Sequence, residues 1–244
     1  MTALTPAPWL EHLERHVPIA LEGVDPEGVH QVRVAGRRLR VLLELGERRA
    51  LVEDLRWLVR ALSRTRDLDV LRDVLAGAGG PGHERFAEWL ERLAAEARHD
   101  AEAALTSPRL TGLLAALEVL SPIDEAVARR GLRKASQRAR KQLDALVGAR
   151  LEPGALGPAF HGLRRALRRL RYANDWLGEP SDGLKHLQDA LGALCDVAAL
   201  ERLVREFAET SGADVSAAVA RLEAAQAALA AQLLATPAAF AVLR

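Results

Sequence analysis

One stretch of this sequence combines a helical pattern with a dense run of positive charge. Residues 161–172 contain five arginines and one histidine but no acidic residue. At 100° per residue, four of these side chains fall within an arc of about 80° on one helix face: His161, Arg164, Arg168 and Arg171. Leucines occupy the opposite side: Leu163, Leu167 and Leu170. The stretch therefore predicts a helix with an apolar face and a cationic face. Arginines four residues apart repel one another by roughly a few tenths of a kcal/mol, so the cationic face favours a negative partner.

The same pattern occurs earlier in the chain. Residues 30–40 and 161–171 share the spacing His-x-x-Arg-x-x-x-Arg-Arg-Leu-Arg at an offset of 131 residues. A second match follows each copy at an offset of 129, in which Leu62, Ser63, Arg66 and Asp67 correspond to Leu191, Gly192, Cys195 and Asp196. The two-residue difference is typical of a shorter loop between paired helices. We therefore predict an internal duplication of a helical unit of about 110 to 120 residues, with copies at 1–120 and 121–244.

These matched motifs resemble those of the conserved-histidine α-helical domain family, CHAD. The resemblance rests on H-Q-V-R-V-A-G-R-R-L-R and R-D-L-D-V-L in the first half, and on H-G-L-R-R-A-L-R-R-L-R-Y and L-Q-D-A-L-G in the second. It covers essentially the whole chain. It implies an all-α fold of two pseudo-symmetric helical bundles, packed around a basic groove that binds inorganic polyphosphate. Cys195 stands where the first copy has Arg66. We expect no fused triphosphate-tunnel domain, so that any enzymatic partner would be a separate chain.

The composition agrees with a helical protein of the cytoplasm. Alanine and leucine dominate, while aromatic residues make up only 4% of the chain. The sequence contains no apolar run of about 18 residues that could span a membrane, and its first residues lack the pattern of a signal peptide. Cys195, the single cysteine, can form no internal disulfide, which is typical of a reducing compartment. We therefore expect a soluble, cytoplasmic protein, with association to polyphosphate granules left open.

The formal net charge of +1 conceals a strong charge separation. Segments 30–40, 129–141 and 161–171 carry 4, 7 and 5 Lys and Arg residues and no Asp or Glu. The remaining chain has 18 Lys and Arg against 33 Asp and Glu, a net charge of −15. A basic patch on an otherwise acidic protein attracts polyanions locally, which favours a defined groove.

Helix boundaries follow from caps, prolines and the spacing of leucines. In the first copy we predict helices over residues 9–17, ended by Pro18, and then 26–46, 50–64, 67–75, 84–105 and 110–119, with a loop at 77–82. In the second copy we predict helices from Pro122, capped by Ser121, to 147, and then 158–177, 183–194, 196–210 and 215–235, with a loop at 151–157. No segment shows the alternation of a β-strand.

Arginine suits a chain of phosphates because its guanidinium stays charged and offers forked donors. The distance from Arg33 to Arg40 is about 10 Å along a helix axis, enough for several phosphates. Histidine can donate to a phosphate oxygen when neutral or protonated. The predicted polyphosphate-binding residues are His30, Arg33, Arg37, Arg38, Arg40, Arg64, Arg66, Arg130, Arg133, Lys134, Arg138, His161, Arg164, Arg165, Arg168, Arg169, Arg171, Tyr172 and Lys185.

Some of these residues also have structural interpretations. One or two arginines in each copy, Arg38 and Arg169 first, are expected to pair with the protein's own aspartates, although burying many ion pairs is costly. The basic residues 129–141 form either a wall of the groove or a solvated face. Each histidine either contacts the anion or bonds a nearby group. We expect the Tyr172 ring to be packed rather than to stack on a base.

Three other functions stay open at this point. Nucleic-acid binding would use the same charge, but single-strand binders interleave aromatic residues with the basic ones, and only Tyr172 lies beside a basic run. A scaffold for an acidic protein partner is the second alternative. An enzyme acting on phosphoanhydrides is less favoured, because the sequence contains no Walker-type loop, spaced acidic motif or Ser/His/Asp set. We predict no catalytic residue, metal or cofactor, and no contact with a membrane.

Overall fold

The computed structural model describes residues 3–75, 83–148 and 156–235, together with residues 240 and 243. Ten helices lie within these ranges: α1 Ala7–Glu22, α2 Pro26–Leu45, α3 Val52–Ala61, α4 Ser63–Leu75, α5 His83–Leu105, α6 Pro108–Glu118, α7 Glu125–Gly148, α8 Leu156–Leu177, α9 Asp182–Ser211 and α10 Ser216–Leu234. The described residues form no strand, and their one extended pairing is an isolated bridge between Leu4 and Ile123. The predicted all-α class is confirmed.

The chain divides into two compact units, Met1–Arg129 (unit 1) and Arg130–Arg244 (unit 2). Each has its own apolar core. In unit 1, α1, α2, α3, α5 and α6 contribute core residues, whereas in unit 2 they come from α7 to α10 and from Phe240 and Leu243. The division falls at residue 129 inside α7, while the motifs placed the boundary near residue 120. The duplication itself stays a prediction.

The apolar faces of the two arginine-rich helices form the centres of these cores. The predicted core residues of both helices are buried: Val32, Leu39, Leu42 and Leu43 on α2, and Leu163, Leu167 and Leu170 on α8. Asp25 caps α2 as predicted, because its Oδ1 accepts a hydrogen bond of 2.8 Å from the Glu27 backbone N–H. The burial of the leucines turns each histidine and its arginines away from the middle of the core.

Two glycines allow α2 to pack closely on its neighbours. A Cβ atom on Gly28 would lie 2.5 Å from the Ala20 backbone nitrogen of α1, and one on Gly36 would lie 3.0 Å from Val59 Cγ2 of α3. Any larger residue at position 28 would collide with main-chain atoms. The backbone of α2 is therefore held between α1 and α3, and this fixes the direction of its cationic side chains.

The prediction that Pro18 ends the first helix is wrong. Helix α1 continues through Pro18 to Glu22 and ends at Gly23, which has a left-handed φ of 68°. A proline in a helix interior removes one backbone hydrogen bond and costs about 3 kcal/mol in isolation. Helix α1 packs along α2 on both sides of this point, with Leu13 and Ala20 buried, and we attribute the continued helix to that packing.

Other helix boundaries also differ from the prediction. The break after α3 falls at Leu62, so α4 begins at Ser63 rather than at Asp67. Helix α7 begins at Glu125 and not at Pro122, because Asp124 Oδ1 accepts hydrogen bonds from the backbone N–H groups of Ala126 and Val127. Helix α9 is one helix of 30 residues where two were predicted. The predicted loop at 77–82 and residues 151–155 of the other predicted loop lie outside the described residues, while 156 and 157 belong to α8.

Candidate anion-binding site

Helices α2 and α4 bring three arginines and a histidine together in unit 1: Arg33, Arg37, Arg66 and His30. Arg33 is only 7% exposed, and its Nη1 donates a 3.0 Å hydrogen bond to the Val59 carbonyl oxygen in the last turn of α3. Burial and, next in size, the charge of Arg37 lower the pKa of Arg33 to about 10; the negative charge of Asp67 opposes them, and Arg66 lowers it further. Arg33 therefore stays positive at neutral pH. It lies close to two other cations, Arg37 and Arg66.

His30 belongs to the same group. Burial lowers the pKa of His30, and the positive charges of Arg66, Arg37 and Arg33 lower it further, while Glu27 opposes them. At neutral pH the imidazole is therefore uncharged, and one of its ring nitrogens can donate a hydrogen bond. An anion placed among these side chains would reverse the sign of the surrounding potential and would favour the protonated ring.

Two other predicted residues on α2 interact with groups of unit 1 itself. The guanidinium carbon of Arg38 lies 4.3 Å from the centre of the Trp9 ring, a cation–π contact. Arg40 lies 3.9 Å from Glu44, and Glu44 is also 3.5 Å from Arg56. The aromatic ring is a partner of Arg38 that the sequence pattern did not indicate, and pairing of Arg38 with an aspartate stays a prediction. Arg64, on α4, is exposed.

In unit 2, helices α8 and α9 bring together the corresponding residues. The Sγ of Cys195 lies 3.5 Å from Nδ1 of His161. Burial raises the pKa of the Cys195 thiol, and the nearby charges of Arg164 and Arg168 oppose this effect only in part. Gly192 lies beside the arginine, because a Cβ atom there would be in ordinary van der Waals contact with Arg164 Nη2, at 3.5 Å.

Three buried polar atoms in the described part of unit 2 have no hydrogen-bond partner. They are the Nε atoms of Arg164 and Arg171 and the Oε1 of Gln188. In unit 1, the Nε atom of Arg33 is also buried without a partner. Arg33 and Arg164 are separated by the 131-residue offset, so the two copies of the motif share this feature.

The remaining predicted residues of unit 2 fall into two groups. Tyr172 is 4% exposed, and Arg171 covers its ring at 5.0 Å, so this aromatic side chain is packed. Arg168 and Arg169 are half-buried. The exposed residues are Arg130, Arg133, Lys134 and Arg138 on α7, Arg165 on α8 and Lys185 on α9. On α7, Arg140 is engaged separately, because its Nε donates a 2.8 Å hydrogen bond to the carbonyl oxygen of Leu243.

Residues 7–205 match the family model of the CHAD domain. The chain belongs to the CHAD domain family. A crystal structure of the CHAD domain from the plant Ricinus communis is similar over 100% of this chain and 94% of that one, with a TM-score of 0.77 and 26% identity. PptA from Streptomyces chartreusis is similar over 99% of both chains, with a TM-score of 0.64 and 20% identity, a likeness that concerns the fold alone. Comparison with curated proteins finds no match.

Two interactions and one buried polar atom in this CHAD protein were not anticipated from its motifs. The carbonyl of Val59 binds Arg33, Trp9 covers Arg38, and Gln188 has a buried side-chain oxygen in unit 2. The sequence could have indicated Gln188, because the 129-residue offset between the copies aligns it with Val59, whose carbonyl binds Arg33. A main-chain acceptor in one copy therefore corresponds to a residue with a side-chain acceptor in the other.

A cavity elsewhere in unit 1 of the CHAD protein has the wrong charge for a polyanion. It encloses about 870 Å³ between the end of α1, the start of α2, α4 and α5. Its ionisable lining comprises two arginines, one histidine and five acids: Arg72, Arg98, His99, Glu22, Asp25, Asp69, Glu91 and Glu102. Among the described residues, no helix is long and apolar enough to cross a membrane, and no three potential metal ligands cluster.

Proposed function

We propose that this CHAD protein binds inorganic polyphosphate, without catalysing a reaction, through the cationic sides of α2 and α4 in unit 1, of α8 and α9 in unit 2, and of α7. The observation that carries the proposal is the group formed by His30, Arg33, Arg37 and Arg66. Burial and, after it, the positive charges of neighbouring arginines lower the pKa values of His30 and Arg33, so that the arginines repel one another in a partly desolvated site. A bound anion would relieve this repulsion.

The spacing of the cations favours a chain of phosphates over a single one. Arg33, Arg37 and Arg40 are distributed over about 10 Å of the α2 axis, since each residue adds 1.5 Å. Each guanidinium can bind two oxygens of a phosphate in a fixed geometry, and a linear polyphosphate has an anionic phosphate unit at every step. A monovalent carboxylate would neutralise only one position of this row.

Unit 2 supports the same function with related residues. His161, Arg164 and Arg168 face Cys195 and Gly192 of α9. Exposed side chains on α7 add positive charge in the same unit: Arg130, Arg133, Lys134 and Arg138. These residues supply exposed long side chains, whereas four arginines of α8 are half-buried: Arg164, Arg168, Arg169 and Arg171. We propose that the buried cations orient the anion and that the exposed ones increase its rate of capture.

The aromatic side chains beside the cationic helices favour polyphosphate over single-stranded nucleic acid. Base stacking needs an open ring face. The ring of Trp9 contacts Arg38 at 4.3 Å and His12 at 4.9 Å, and Tyr172 is buried under Arg171. Both rings are therefore engaged by protein side chains, which supports recognition of phosphates rather than of bases.

The proposed function requires no catalytic residue, metal or cofactor from this chain. Binding would take place in the cytoplasm, and polyphosphate granules are one setting in which it would act. Incubation of the purified protein with long-chain polyphosphate and Mg²⁺, followed by separation of the products by length, tests this part of the proposal. We expect the chain length to stay constant, and shortening would establish an enzyme instead.

The binding proposal is tested by titrating polyphosphate at two salt concentrations. The test variant replaces four arginines of the site with alanine: Arg37, Arg66, Arg164 and Arg168. The control variant replaces four arginines that form surface ion pairs outside α7, so that the net charge changes equally: Arg56, Arg72, Arg109 and Arg205. Each charged hydrogen bond contributes about 1.5 kcal/mol or more, so the test variant should lose at least about 100-fold in affinity.

Wild-type binding should also weaken steeply with salt, by about 0.7 log units per log unit of salt for each phosphate contacted, as in single-stranded nucleic acid. Equal affinities of the test and control variants would place the site elsewhere. Competition by DNA or RNA at equal phosphate concentration would favour a nucleic-acid function. A protein captured equally well after removal of polyphosphate would favour a scaffold.

A further inference from the structure

We propose that the two arginine-rich helices form unequal anion sites, and that residues 66 and 195 set the difference between them. Arg66 completes a stronger site on α2, whereas Cys195 leaves the site on α8 one cation short. This inference rests on the proposed function and extends it, because it assigns different strengths to two sites that the sequence motif would make equivalent.

The two residues occupy matching positions in their units. Arg66 follows Leu62 by four residues on α4, and Cys195 follows Leu191 by four residues on α9. Each faces the histidine and the first arginine of the cationic helix beside it. In unit 1 the charge of Arg66 acts on both His30 and Arg33.

The contacts of Cys195 show the same placement in unit 2. Its Sγ is 3.5 Å from His161 Nδ1, and it forms a side-chain hydrogen bond with Arg164. Arg168 is close enough to act on its charge. An arginine at position 195 would therefore lie next to His161, Arg164 and Arg168 and would add a positive charge to this group.

The difference between the sites is one of charge. Unit 1 places Arg66 among its cations, while unit 2 has a thiol that burial keeps protonated and neutral. A thiolate at this position would carry negative charge and weaken anion binding further, so the direction of the difference is the same in either protonation state. An aspartate follows in both copies, Asp67 and Asp196, and does not distinguish them.

Reciprocal substitutions test the inference. Cys195→Arg should raise the affinity for polyphosphate about threefold to tenfold and steepen the salt dependence by about 0.7 log units, as expected for one added phosphate contact. Cys195→Gln, which adds similar length without charge, should do neither. Arg66→Gln should lower both quantities, and Arg66→Lys should retain most of the salt dependence, because it keeps the charge.

The single cysteine allows a second test that needs no refolding of a variant. A methanethiosulfonate reagent transfers its thioalkyl group to the Cys195 sulfur as a mixed disulfide and releases methanesulfinate. Two reagents of similar size attach either a trimethylammonium or a sulfonate group. The cationic adduct should bind polyphosphate more tightly than the anionic one, at least about tenfold, and Cys195→Ser should respond to neither reagent. Far-ultraviolet circular dichroism verifies that each adduct and variant is folded.

The outcomes separate this inference from the function on which it rests. Absence of binding by the wild-type protein would overturn the proposed function. Binding by the wild type, with equal affinity for both adducts and no effect of Arg66→Gln, would retain polyphosphate binding and overturn the inequality of the two sites. Equal effects of Cys195→Arg and Cys195→Gln would assign the change to side-chain volume and would likewise overturn it.

Discussion

Helices α2 and α8 carry the same arginine pattern but pack differently against their neighbouring helices. Gly28 and Gly36 of α2 correspond to Ala159 and Leu167 of α8 at the 131-residue offset. In unit 1 the glycines let α1 and α3 approach the helix backbone, and Arg33 is buried against the end of α3. In unit 2 the leucine fills the corresponding position in the core. Arginines at the same spacing along two helices are therefore buried to different extents.

The acceptors available to the two arginines differ for a related reason. The break at Leu62 places Val59 in the last turn of α3, where carbonyl groups lose their partners within the helix. Arg33 and the hydroxyl of Ser63 both donate to the Val59 carbonyl, at 3.0 and 2.8 Å. Helix α9 continues without a break, so the backbone carbonyl of Gln188 stays within its helix. Arg33 is therefore fixed by main chain, whereas Arg164 stays half-buried beside Gly192.

Substitution of Gly28 should have the largest effect on this difference. Gly28→Ala places a Cβ atom 2.5 Å from a backbone nitrogen of α1, and neither helix can move without disturbing the core. We expect unit 1 to lose about 3 kcal/mol or more of unfolding free energy, typical of overpacking. The reciprocal Ala159→Gly should cost only about 1 kcal/mol, the helix-propensity difference. Urea denaturation followed by circular dichroism measures both, and equal losses would contradict the close packing of α2.

Removal of the two equivalent arginines should destabilise the units unequally. Arg33→Ala deletes a buried side chain and its bond to Val59, and should cost about 2 to 3 kcal/mol. Arg164→Ala should cost about 1 kcal/mol or less, because this side chain is half-buried. Arg33→Met retains the volume without the charge and should recover much of the loss. The comparison fails if thermal and urea denaturation show the same loss for Arg33→Ala and Arg164→Ala.

The protonation of His30 should couple polyphosphate binding in unit 1 to pH. Burial and Arg66 lower the pKa of His30 in the unliganded protein, and a bound anion should raise it, so binding takes up a proton. Affinity should therefore increase roughly threefold to tenfold as pH falls from about 7.5 to about 5.5. The increase should disappear in His30→Gln. Calorimetric titration in two buffers of different ionisation enthalpy measures the proton uptake directly, and proton release would contradict the scheme.

The contact between Arg38 and Trp9 should give the smallest effect. Trp9→Leu removes the cation–π interaction while retaining an apolar side chain, and should lower the unfolding free energy by about 0.5 to 1 kcal/mol beyond the loss in area. A double-mutant cycle with Arg38→Ala isolates the interaction. A coupling of zero would show that the guanidinium and the ring contribute independently.

The sequence permitted prediction of the helices' faces more readily than their ends. The buried leucines of α2 and α8 follow from the 3.6-residue period, and the start of α2 follows from Asp25 and Pro26. The path of α1 through Pro18 and the continuity of α9 depend on packing against other helices, which local propensity does not contain. For the candidate site, the motif identified the cations, while the depth of Arg33 required comparison of Gly28 and Gly36 with Ala159 and Leu167.

The uninterrupted course of α9 has a consequence for amide hydrogen exchange. Cys195 lies near the middle of a helix about 45 Å long, and an unbroken helix opens and closes cooperatively. An anion bound near Cys195 should therefore slow amide exchange along many turns of α9, both before and after this residue. In unit 1 the break at Leu62 separates the amides of α4 from those of α3, so protection around Arg66 should decay within α4. The pattern of slowed amides along each helix would thus reveal which unit holds a bound ligand.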